Sequence, residues 1–168
     1  MNRRHFLRLS LGSGMVASAA MLAGCGFQLR GTQRQTHIPP LTLEGDTRSL
    51  VARAVAVELN TLGNGVTETA DWRLTLSSPE LMERRLGSEG RGSREHEFTL
   101  SVQVSVQQRD NNAYALNNRR LSVSTRQRLN DDDLLDRESV VEEVRLMLSK
   151  RLAQRVIQRI TVLEAFDS

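Results

Sequence analysis

Phe98-Thr99-Leu100-Ser101-Val102-Gln103-Val104-Ser105-Val106 alternates apolar and polar side chains without a break. A strand turns successive side chains to opposite faces, so this run predicts a strand buried on one face and wet on the other. Asp110-Asn111-Asn112 reads as a turn, and residues 114–125 return as a second strand. The apolar parity of that return slips: Tyr114 and Leu116 are even, Leu121 and Val123 odd. One extra residue produces such a slip, which places a bulge near Asn117 and Asn118. Upstream, Trp72, Leu74 and Leu76 alternate with polar residues and predict a third strand. Pro79, which has no N–H to donate, marks its end or an edge. Residues 84–94 are charged and rich in glycine, and they read as a turn between strands.

Two helical patterns flank this block. Val51, Ala54, Val55, Leu59 and Leu62 share one helical face, with Asp46 or Thr47 as N-cap and Gly63-Asn64-Gly65 as the stop. Val141, Val144, Leu148, Leu152, Val156 and Ile160 form a longer stripe, widened by Val140, Met147 and Ile157. Acids gather before it (Asp131, Asp132, Asp133, Asp136, Glu138) and bases at its end (Lys150, Arg151, Arg155, Arg159), as the helix dipole favours. Leu41-Thr42-Leu43 adds a short first strand ending at Gly45. The expected fold is α+β: a two-layer sandwich of two helices on a four-stranded, largely antiparallel sheet, in the order β-α-β-β-β-α.

The first 24 residues read as a signal peptide. Arg3, Arg4 and Arg8 form a basic start, an apolar stretch diluted by Gly12 and Gly14 follows, and Leu22-Ala23-Gly24-Cys25 closes it. That tetrad has the layout of a bacterial lipobox. Small residues thread into a peptidase, and the Cys25 thiol is the nucleophile that takes a diacylglyceryl group as a thioether. Cys25 is the only cysteine, so it serves no internal disulfide. Arg3-Arg4-His5-Phe6-Leu7-Arg8 also matches the twin-arginine export pattern, and both that route and the general secretory route fit. No further run of about 18 apolar residues follows.

The chain has 23 Lys+Arg against 20 Asp+Glu, and three of the 23 are the signal arginines, which leaves 20 against 20. A neutral mature chain gives no reason to expect nucleic acid as a partner. Basicity is local: nine arginines and four acids lie between Arg84 and Arg128. Guanidinium groups bind phosphate in a bidentate manner and keep their charge. That segment therefore reads either as an anion site or as a solvated sheet face. His37 and His96 have no partner at metal-ligand spacing and read as surface residues. No Gly-x-Ser-x-Gly elbow, P-loop or zinc motif is present, and 131–133 lacks the EF-hand pattern and reads as helix capping. No cofactor, metal or enzyme activity is expected.

The residues after the lipobox, Cys25-Gly26-Phe27-Gln28-Leu29-Arg30-Gly31, resemble the start of LptE, the lipopolysaccharide-assembly lipoprotein family of the outer membrane. The resemblance implies an α/β sandwich of the order read above. It also implies a plug inside an LptD-type β-barrel, assistance in assembling that barrel, and binding of lipopolysaccharide. The family's basic contacts lie near the turn before its long strand and near the start of its last helix. Carried over, they imply Arg84, Arg85, Arg91 and Arg94 at the first and Arg137 at the second, where the surroundings are acidic. Gly26, rather than Asp, after the lipidated cysteine is consistent with sorting to the outer membrane.

The chain thus divides into a signal peptide (1–24), a lipidated N-terminus and tether (25–40), one α+β domain (41–163) and a tail (164–168). Two other classes compete with the barrel-partner reading: a lipid-anchored periplasmic enzyme and a structural lipoprotein of the cell envelope.

Overall fold

The computed structural model describes residues 38–63, 65–87, 93–130 and 134–166. They form β1 (Leu41–Gly45), α1 (Leu50–Thr61), β2 (Trp72–Leu76), β3 (Glu80–Leu86), β4 (Ser93–Gln108), β5 (Tyr114–Asn130) and α2 (Leu134–Ile160), followed by a short 3-10 turn, Glu164–Phe166. The class is the one read from the sequence, with two helices on a mostly antiparallel sheet.

The alternating run lies within β4, the central strand. β5 pairs along one edge of β4, and β2 and β3 pair in succession along the other. β1 lies beside β2 in parallel, with Leu41 opposite Trp72 and Leu43 opposite Leu74, so β1-α1-β2 is a crossover unit. The even residues of β4 from Phe98 to Val106 are buried, while Gln103 is exposed between Val102 and Val104. Removing each such side chain from water contributes about 1.5–3 kcal/mol, so the alternation is a strong local determinant of which face turns inward.

The sheet has five strands, not four. Residues 84–94 are not one turn: Arg84, Arg85 and Leu86 close β3, and β4 already begins at Ser93. The register shows why the periodicity hides β3. Leu76 opposes Val104 and Glu80 opposes Ser101. The β2–β3 side therefore carries one more residue than β4 across 77–79, and the inward parity changes from even to odd. Pro79 sits in this break, and the Ser77 hydroxyl accepts the Gln103 N–H at 2.9 Å, replacing a carbonyl in the ladder. Two of the inward positions of β3 also carry charge, Glu83 and Arg85, where an apolar residue would signal a strand.

The expected bulge in β5 is present. Between the pairs Val104–Arg119 and Val106–Leu116, β4 has one residue and β5 has two, Asn117 and Asn118. Asn118 takes φ 45°, and its N–H donates to Ser105 Oγ at 2.9 Å. A second irregularity follows between Val106 and Gln107.

In α1, Ser49 is the N-cap, not Asp46 or Thr47. Its hydroxyl accepts the Ala52 N–H and itself donates to the Asp46 carbonyl, so Asp46 shapes the turn through its backbone. Gly63, at φ 79°, follows the C-cap as expected. Val51, Ala52, Val55 and Leu59 are buried, whereas Leu62 is exposed. In α2, Val144, Leu148, Leu152, Val156 and Ile160 are buried against the sheet and α1. The core reaches past 41–163 at both ends: Ile38 is fully buried, and the Phe166 ring meets Trp72 edge-on at 5.2 Å. The acids 131–133 lie outside the described residues.

Candidate functional site

Strand parity sorts the arginines onto two faces. The face turned away from the helices carries Glu80, Met82 and Arg84 from β3, Glu95, Glu97, Thr99, Ser101 and Gln103 from β4, and Arg120, Ser122, Ser124, Arg126 and Arg128 from β5. No described element covers this face.

Carboxylates and guanidiniums alternate across it. Arg84 donates to Glu97 Oε2 from Nη2 at 2.6 Å and from Nε at 3.2 Å, and Arg126 stands 3.8 Å from the other oxygen. Arg120 bridges Glu80 at 2.9 Å and the Ser101 hydroxyl at 2.8 Å. Arg128 is directly opposite Glu95 in the register. Arg84, Arg120 and Arg126 remain more than half exposed despite their partners, at 67%, 56% and 62%. Ion pairs this exposed are screened by solvent, so an arriving phosphate would compete with Glu97 or Glu80 for the same guanidiniums.

The hydrogen bond from Arg84 holds the Glu97 carboxyl below its usual range. Partial burial opposes this, and the charges of Arg84 and Arg126 reinforce it. A depressed carboxylate pKa stabilises the fold above the unfolded value, and that contribution is lost as pH falls through the folded value. Arg84→Ala is therefore expected to raise the Glu97 titration midpoint followed by carboxyl carbon NMR, and an unmoved midpoint would refute the assignment.

The helix-facing side holds a different cluster. His96, read as a surface residue, is buried at 4% exposure. Its Nδ1 lies 2.8 Å from Glu83 Oε1, and Arg137 in the first turns of α2 donates to both Glu83 oxygens at 2.7 and 2.8 Å. The cluster ties the β3–β4 hairpin to the start of α2. Periodicity places His96 on the inward parity of β4, which is the signal that opposes a surface reading.

Of the arginines singled out by sequence, Arg84 lies on the open face and Arg85 is opposite His96 on the other. Arg94 is opposite Leu129, and Arg137 is engaged with Glu83. Of the four that are described, Arg84 lies on the opposite sheet face from Arg85 and Arg94. Arg91, Cys25 and the lipobox residues Leu22, Ala23 and Gly24 lie outside the described residues. Arg120, Arg126 and Arg128 join Arg84 instead, and only the β4–β5 register brings them together. Among the described residues, no group of three or more His, Cys, Asp or Glu is placed to hold a metal ion, and no helix is long and apolar enough to cross a membrane.

The geometry defines a two-helix α+β sandwich with one helix-covered and one open, charged sheet face. No protein-family model matches the chain, and no curated protein matches it. Solved structures of bacterial lipoproteins do share the fold. Rare lipoprotein B from Shewanella oneidensis is 20% identical, over 74% of this chain and 98% of its own, with a TM-score of 0.51. An uncharacterized lipoprotein B from Nitrosomonas europaea is 14% identical, over 83% of this chain and 93% of its own, with a TM-score of 0.62. A minor lipoprotein from Acinetobacter baumannii is 15% identical, over 73% and 91%, with a TM-score of 0.53. At these identities the likeness is one of fold.

Proposed function

We propose that this chain is a non-enzymatic lipoprotein, anchored through acylated Cys25 to the periplasmic side of the outer membrane. There it plugs and helps assemble an LptD-type β-barrel and binds lipopolysaccharide during insertion. The observation that carries this reading is the run Leu22-Ala23-Gly24-Cys25-Gly26-Phe27-Gln28-Leu29-Arg30-Gly31. The fold supports it, being shared with bacterial lipoproteins over nine-tenths or more of their length. The open face supports the ligand, because its guanidiniums are exposed and their carboxylate partners are held only in solvent-exposed pairs.

Two measurements test the reading separately. A tagged chain, extracted in mild detergent, is expected to bring down an LptD-type barrel, and repeated failure to do so sinks the barrel assignment. Purified protein is expected to bind lipopolysaccharide, with affinity falling about tenfold on charge reversal of Arg84 and Arg85, or of Arg91 and Arg94, equivalent to about 1.4 kcal/mol. Charge reversal of Arg120 and Arg126 is expected to weaken it as well. Unchanged affinity in all three would return the arginines to a solvated sheet face.

A further inference from the structure

A groove of about 570 Å³ lies where the start of α1, the middle of α2 and the β2–β3 break meet. Three arginines from separate places in the chain line it: Arg48 before α1, Arg53 within it and Arg145 on α2. Among the described residues, no acidic side chain lines it. Arg48 and Arg53 are exposed and make no ion pair among the described residues, and Arg145 has only a loose contact with Glu142 at 3.6 Å. Three cations around one groove, two of them with no ion pair, repel one another, and an anion placed among them relieves that repulsion. The floor is apolar, formed by Leu50, Pro79, Leu81 and buried Leu100. None of these arginines belongs to the open-face cluster or to the residues singled out by sequence.

From this geometry we infer that the groove docks an extended acidic segment of a protein partner, with one aliphatic side chain on the floor and carboxylates on the rim. Two features select this occupant. Guanidinium groups pair with carboxylates in a fork geometry. Leu81 belongs to β3, whose outer edge pairs with no strand among the described residues, so an extended backbone has N–H and C=O groups to bond beside the groove. In an extended segment alternate side chains share a face, so the pattern that fits is acid-x-aliphatic-x-acid.

The probe is a fluorescein-labelled peptide, Thr-Glu-Thr-Leu-Thr-Glu-Thr, titrated with the full lipidated protein in non-ionic detergent at low salt and followed by anisotropy. Saturable binding is expected. It should weaken about tenfold in the double variant Arg53→Glu, Arg145→Glu and with a peptide carrying Gln for Glu, and persist in Arg159→Glu, whose side chain is exposed at the far end of α2. Thermal unfolding of each variant confirms that it folds, and Arg53→Gln with Arg145→Gln provides a milder pair if charge reversal unfolds the protein. Absence of saturable binding, or equal binding by the folded double variant, overturns the inference. Cosedimentation with phosphatidylglycerol vesicles that depends on the same arginines, without peptide binding, overturns it in favour of a lipid surface.

Discussion

Gly45→Ala is expected to destabilise the domain by about 3 kcal/mol and to lower its unfolding midpoint by about 10 °C. Gly45 ends β1 at φ 87°, where a side chain is strained, and a Cβ there would lie 2.1 Å from the Leu76 carbonyl oxygen. That oxygen cannot easily retreat. It belongs to the β2 residue paired with Gly45, and it accepts the Asp46 N–H at 2.9 Å. The turn that follows positions Ser49, the N-cap of α1, so displacement at Gly45 would also disturb the helix start. Gly63→Ala is the matched comparison. Its φ is 79°, but nothing lies within 4 Å of the added Cβ. It is expected to cost about 1 kcal/mol, from backbone strain alone. Circular dichroism melts of both variants check the pair, and equal losses would show that the close approach at Leu76 is not what requires glycine at 45.

The second large effect concerns the anchor. Cys25→Ser is expected to abolish acylation, because a hydroxyl is a far poorer nucleophile than a thiol toward the diacylglyceryl donor. Intact mass and incorporation of labelled fatty acid are the readouts, and both should lose the lipid entirely. Buried acyl chains contribute about 0.8 kcal/mol per CH₂, and stable attachment takes at least two hydrophobic signals, so the loss removes the tether as a whole. A serine variant that still carries fatty acid would show that Cys25 is not the acceptor.

Where the sequence is legible, the reason is local. The alternation from Phe98 to Val106, the slip at Asn117-Asn118 and the stop at Gly63 each follow from the periodicity or φ preference of a few adjacent residues. β3 is not legible in this way. Its inward positions after Leu81 are Glu83 and Arg85, and Glu83 is satisfied by His96 from β4 and Arg137 from α2. A charge can face inward there only because residues distant in sequence compensate it, and no local pattern records that. The N-cap is misread for a similar reason: Asp46, Thr47 and Ser49 are all competent caps, and the hydrogen bond from Asp46 N to Leu76 places the first helical turn after Ser49.

The sites divide along the same line. The lipobox and the Cys-Gly-Phe-x-Leu-Arg-Gly run are read by contiguous residues, so the export and anchoring proposal needs no tertiary structure. The arginines are otherwise. Nine of them between Arg84 and Arg128 suggest one basic segment, but cross-strand register separates Arg84 from its neighbour Arg85 and sets Arg84 with Arg120, Arg126 and Arg128. Arg48, Arg53 and Arg145 meet at one groove only because α1 and α2 pack side by side. The chain by itself thus specifies its fold class and every element but β3, and it carries the residues from which the terminal signal is proposed, all of which depend on neighbours in sequence. Which charges share a surface depends on strand register and helix packing, which are set by long-range burial and pairing.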